Sequence, residues 1–98
     1  MIVAMVTVDL FVPACGSLKE KRGVVKRLIA RLRRDLNVSV AEVGDQDVWQ
    51  RSTLGIAVAA GSEVGARKVA QHAEKILLRE HRVELLNIDI EITAPQPL

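Results

Sequence analysis

Eight of the fourteen lysines and arginines in this sequence fall between Ser17 and Leu36: Lys19, Lys21, Arg22, Lys26, Arg27, Arg31, Arg33 and Arg34. Only Glu20 and Asp35 oppose them there, so eight cations against two anions leave the segment near +6. The remaining six cations and ten anions leave the rest of the chain near −4. Concentrated cations of this kind suit a phosphate backbone, because each neutralised phosphate releases condensed counterions. The same residues also suit a plain solvated face. An acid-poor helix, however, repels itself and forgoes i,i+4 ion pairs.

Other residues offer less. Asp45 and Asp47, in Asp45-Gln46-Asp47-Val48-Trp49-Gln50-Arg51, suggest a metal or a general base, but no third ligand follows at a metal-loop spacing. A turn with Trp49 folded against the core edge or an interface is the simpler reading. Trp49 and Arg51 are typical hot-spot types if this tip meets a partner. Cys15 precedes a helix start, where a dipole lowers a thiol pKa, yet no histidine lies near it in sequence. His72 and His81 fit an exposed helix position and a helix C-terminus. There is no glycine-rich phosphate loop, zinc spacing or nucleophile elbow. The expectation is a protein that is not an enzyme and has no cofactor or metal.

The elements that must position these residues follow from periodicity. Residues 2–12 are rich in β-branched types, with one parity (Ile2, Ala4, Val6, Val8, Leu10, Val12) wholly apolar and the other mixed, and predict a strand, β1. Ser17-Leu18-Lys19-Glu20 is a capping box, in which the Ser17 hydroxyl accepts from the Glu20 N–H and the Glu20 carboxylate reaches back to that of Ser17. Leu18, Val25, Leu28, Ile29, Leu32 and Leu36 then recur at helical spacing, predicting α1 up to a stop at Asn37. On its wheel Lys19, Arg22, Lys26 and Arg33 share a flank within about 60° of arc, with Arg27 and Arg34 on the outer surface. Residues 38–43 predict β2 and residues 53–60 predict β3, joined as a hairpin with a long tip. Gly61-Ser62-Glu63 starts α2, which runs to about Glu80 with Val69, Ala73, Ile76 and Leu77 buried. Leu86, Ile88, Ile90 and Ile92 alternate with polar residues to give β4, stopped by Pro95 and Pro97.

The order β-α-β-β-α-β implies a single domain over residues 1–98 of the α/β class, an α+β sandwich. The simplest solution is the ferredoxin-like fold, a four-stranded antiparallel sheet with two helices on one face. Its open face would carry Val3, Met5, Phe11, Ala57 and Ala59, a small-residue surface suited to a homodimer or a docked protein. The same face suits poorly the stacking of RNA bases: the chain has no Tyr, and Asp9, Asp89 and Glu91 lie on that face. Mean hydropathy is +0.19 and no apolar run approaches a membrane span. One cysteine allows no internal disulfide, and Met1–Val12 lacks a basic signal-peptide start. The expected location is cytoplasmic.

Ser17-Leu18-Lys19-Glu20-Lys21-Arg22, Asn37 to Gly44, Gln46-Asp47, Trp49-Gln50-Arg51 and Leu54-Gly55 together resemble the YlxP-like bacterial family of unknown function. The likeness covers nearly the whole chain and is strongest from Ser17 to Val58. It implies a ferredoxin-like fold and carries over no activity, ligand or catalytic residue. Genes of that family often neighbour those of transcription-antitermination and translation-initiation factors, which implies by association a link to RNA or the ribosome. At Gly23 the chain departs from the pattern, where relatives tend to have a larger polar or basic residue. The reading that follows is an RNA- or ribosome-associated protein using Lys19, Arg22, Lys26, Arg27, Arg33 and Arg34, with Trp49 and Arg51 as helpers. The rival is an interaction module using the open sheet face.

Overall fold

A computed structural model describes residues 1–13 and 16–94. Cys15, Pro95 and Pro97 lie outside the described residues. The elements are β1 (Ile2–Phe11), α1 (Leu18–Asp35), β2 (Ser39–Gly44), β3 (Arg51–Ala60), α2 (Glu63–Arg79) and β4 (Glu84–Thr93). The strands form one antiparallel sheet in the order β2-β3-β1-β4. The ferredoxin-like order of elements is therefore the observed one.

Alternation decides which face of the sheet is buried. Ala4, Val6, Val8 and Leu10 of β1 lie opposite Val58, Ile56, Leu54 and Ser52 of β3, and all eight are buried. Val40 of β2 joins them, as do the half-buried Ile88, Ile90 and Ile92 of β4. From the helices Val25, Leu28 and Leu32, and Ala66, Ala70, Ala73 and Leu77, close the core. Alanines along α2 let that helix approach β1, β3 and β4 closely, while α1 lies over β2. Fully burying one Leu or Val contributes about 1.5–3 kcal/mol.

Both helices begin at a serine cap. The Ser17 hydroxyl accepts from the Glu20 N–H at 3.1 Å, and Ser62 accepts from Gly65 at the same distance. The Glu20 carboxylate accepts from the N–H of Gly16 at 2.9 Å, one residue earlier than in the reciprocal capping box.

Two bulges alter the strand pattern. Asp9 pairs with Asn87 but Leu10 pairs with Leu85, so Leu86 is the extra residue in β4. A bulge reverses the alternation beyond it. Leu86, expected on the inner parity, is 44% exposed, and the half-buried Leu85 takes the inward place opposite Leu10. At the second bulge, between Glu42 and Gly44, Val43 is the unpaired residue; it keeps the outward parity of Ala41, and its side chain lies over Gly55.

Candidate nucleic-acid interface

Lys21 stands apart from the other cations of the basic segment. It is fully buried, because it precedes Val25, Leu28 and Leu32 by four, seven and eleven residues and shares their face. Its ammonium meets three acceptors: Glu42 Oε2 at 2.6 Å, the Asp45 carbonyl at 2.8 Å and the Gln46 carbonyl at 3.1 Å. An ammonium has three N–H donors, so none is left over. Glu42 faces inward because it shares the parity of Val40, and its Oε2 also accepts from the Ser52 hydroxyl at 2.6 Å. The basic surface of α1 thus has seven contributors rather than eight.

The hairpin tip is folded over the start of α1 by the same network. Asp45 adopts a positive φ of 57°, a conformation Asp tolerates better than most residues and one that here aims its carbonyl at Lys21. The Gln46 side chain donates to the Glu42 carbonyl at 2.9 Å, and the Val48 N–H closes the turn on Asp45. Asp47 is exposed and lies 3.8 Å from the Arg22 guanidinium. No group of three metal-ligating side chains occurs among the described residues. Trp49 is 46% exposed at the tip.

The six predicted contacts on α1 are all exposed: Lys19, Arg22, Lys26, Arg27, Arg33 and Arg34. Arg31 is half-buried beside them. At 100° per residue they form two stripes flanking the buried face. Lys19, Arg22, Lys26 and Arg33 lie on the β2 side, where Arg22 meets Asp47 and Arg33 donates to the Val40 carbonyl at 2.8 Å. Arg27, Arg31 and Arg34 lie on the α2 side. Arg51 belongs to neither stripe. It opens β3 on the open sheet face opposite Phe11, with the sheet between it and α1.

Of the predicted interface residues, Val3, Met5, Ala57 and Ala59 adjoin on the open face and Phe11 does not. Val3 pairs with Ala59 and Met5 with Ala57, and Met5 is 43% exposed. Phe11 is at the far end of the face, half-buried between Arg51 and Glu84. Between them Thr53 donates to Asp9 at 2.9 Å. His72 and His81 are both exposed, with His81 3.8 Å from Glu80.

Sequence reasoning missed the Lys21–Glu42–Ser52 network. The signal for Lys21 was present in its spacing from Val25, Leu28 and Leu32. No helix among the described residues is long and apolar enough to cross a membrane.

The family model described as "Protein of unknown function (DUF503)" matches residues 3–90, which include all six elements up to most of β4. The chain belongs to this family. A relative, the uncharacterised protein YlxP of Bacillus subtilis, is 50% identical over 56 residues, a stretch that covers 57% of this chain. The chain spans about 61% of the length of that curated relative. Among solved structures, a de novo designed protein with a ferredoxin fold superposes with a TM-score of 0.58 at 19% identity, covering 100% of this chain and 88% of that one. Such a likeness establishes the fold alone. SnoaB, a cofactor-independent oxygenase from Streptomyces nogalater, superposes less well, with a TM-score of 0.46 at 16% identity over 99% of this chain and 96% of that one. At that level it says nothing about the chemistry of the family member described here.

Proposed function

We propose that this protein is a non-enzymatic binding protein for RNA, free or on the ribosome, and that α1 is its binding surface. The observation that carries the reading is the solvent-facing charge of α1. Six exposed cations and the half-buried Arg31 face only Glu20 and Asp35 on the same helix. The buried ionic cluster does not enter this reading, because all three donors of Lys21 are used within the fold.

The test is binding to ribosomal RNA and to ribosomal subunits across a salt series. Phosphate contacts make log K fall linearly with log salt, with a slope of about −0.9 per duplex phosphate and about −0.7 per single-strand phosphate. Lys26→Glu with Arg34→Glu takes one residue from each stripe and spares the bond from Arg33 to Val40. Loss of binding in this variant is expected. Binding equal to wild type would remove α1 as the site.

A second reading rests on the adjoining Val3–Ala59 and Met5–Ala57 pairs of the open face, which suit a second copy of the chain. It predicts a dimer that Met5→Glu dissociates. A monomer by sedimentation at high micromolar concentration would dispose of it.

A further inference from the structure

Cations on the α2 flank of α1 continue onto the second helix. Arg27, Arg31 and Arg34 share a recess with Glu80 and Arg82, at the end of α2 and in the turn after it. The adjoining recess is lined by Arg31 and Asp35 of α1 and by His72, Lys75 and Arg79 of α2. Six cations (Arg27, Arg31, Arg34, Lys75, Arg79 and Arg82) face two carboxylates along this groove, a balance of +4.

The carboxylates are engaged within the fold. Asp35 lies 3.1 Å from Arg34 and 3.8 Å from Arg31, and Glu80 lies 3.3 Å from Arg82. Among the described residues no carboxylate lies within 4 Å of Arg27, Lys75 or Arg79. The β2 flank is different. Its four cations all come from α1: Arg22 faces Asp47, Arg33 is held by the Val40 carbonyl, and Lys19 and Lys26 have no carboxylate within 4 Å among the described residues. Both flanks are net positive, but only the inter-helix groove draws cations from both helices, Arg27, Arg31 and Arg34 from α1 and Lys75 and Arg79 from α2.

We propose that this inter-helix groove seats the phosphate backbone of a duplex or folded nucleic acid, with Lys75 and Arg79 of α2 as contacts alongside Arg27 and Arg34. The assignment rests on the proposed RNA-binding function and deepens it. No Phe, Tyr or Trp lines the groove, and its one ring is the imidazole of the exposed His72. Phe11 is on the open sheet face and Trp49 is at the hairpin tip. Single-strand binders stack bases on aromatics, whereas duplexes are held through shape and phosphates. With six cations and a single imidazole, the groove is built for phosphates more than for bases, which favours a duplex over a single strand.

The experiment measures fluorescence anisotropy of labelled nucleic acids across a salt series. The probes are an RNA duplex of about 16 base pairs, a single strand of the same length and the corresponding DNA duplex. Wild type is compared with Lys75→Glu/Arg79→Glu, with the neutral Lys75→Gln/Arg79→Gln and with Arg22→Glu/Lys26→Glu on the β2 flank. Circular dichroism checks that each is folded. The expected result is duplex preferred over single strand. The α2 reversal should weaken binding about tenfold or more and reduce the salt slope by about 2, with the neutral pair intermediate. The relative affinity of the RNA and DNA duplexes reports which source of phosphates the groove takes.

If the α2 variants bind as wild type while the β2-flank variant does not, the groove is wrong and the α1 reading stands. Preference for the single strand would overturn the backbone assignment. Absence of wild-type binding to any probe at low salt, where the attraction is strongest, would overturn the RNA reading and the groove with it.

Discussion

Lys21 Nζ lies 2.6 Å from Glu42 Oε2 although the two residues come from different layers, one from the helix and one from the edge strand. Lys21 is fully buried and the Glu42 side chain is 16% exposed. The pair ties α1 to β2 and, through the Asp45 and Gln46 carbonyls, holds the hairpin tip over the helix. Removing one partner leaves the other charge buried without compensation, which typically costs about 3–5 kcal/mol. Replacing both with apolar residues of similar volume costs far less.

Lys21→Met is therefore expected to destabilise the fold by about 3–5 kcal/mol in urea unfolding, and Glu42→Leu by a similar amount. The double variant should lose clearly less than the sum of the two. Strict additivity would show that the pair is not coupled.

At Asp45 the positive φ makes a different demand. A left-handed conformation costs an ordinary L-residue about 1–2 kcal/mol, and a β-branched side chain tolerates it worst. Asp45→Val should lower stability by at least about that amount, whereas Asp45→Gly should change it by less than about 1 kcal/mol. Equal losses for both would place the cost in the aspartate side chain rather than in the backbone.

Gly23 is in the middle of α1, and a Cβ built there comes no closer than 3.7 Å to any neighbouring atom, the nearest being Arg27 Nη1. With room available, helix propensity decides the outcome. Gly23→Ala should raise stability by about 0.8–1 kcal/mol, visible as an increase in Tm. Gly23→Lys fills the gap between the two basic stripes and should in addition steepen the salt dependence of RNA binding by up to about one phosphate's worth.

The bulge in β4 is tested by two neighbouring leucines. Leu85 faces Leu10 across the ladder, whereas Leu86 is the exposed extra residue. Leu85→Ala should cost more than about 1 kcal/mol and Leu86→Ala less than about 0.5 kcal/mol. The reverse order would mean that the strand keeps unbroken alternation through Leu86.

Much of the fold was legible because local rules agreed with the global arrangement. Val6 and Val8 alternate with Met5 and Thr7, and Leu28 and Leu32 recur four apart, so the inner face of each element follows from its own period. Ser17 and Ser62 marked helix starts through their hydroxyl caps. The bulges escaped this reading because an inserted residue satisfies the local composition of a strand equally well on either face. Leu85 and Leu86 are both leucine, and only pairing with β1 chooses between them.

The candidate surface divides in the same way. By itself the sequence determined that α1 is basic, that its apolar stripe faces inward, and that six elements stack as two layers, since charge content and period are local properties. Only the tertiary structure decided that Lys21 leaves the surface to meet Glu42, that Arg33 is engaged by Val40, and that Lys75 and Arg79 share a recess with Arg31, next to the one that holds Arg27 and Arg34. Those are relations between residues far apart in the chain. They exist because two helices on one face of a sheet must lie side by side, which brings their adjoining flanks to a common groove.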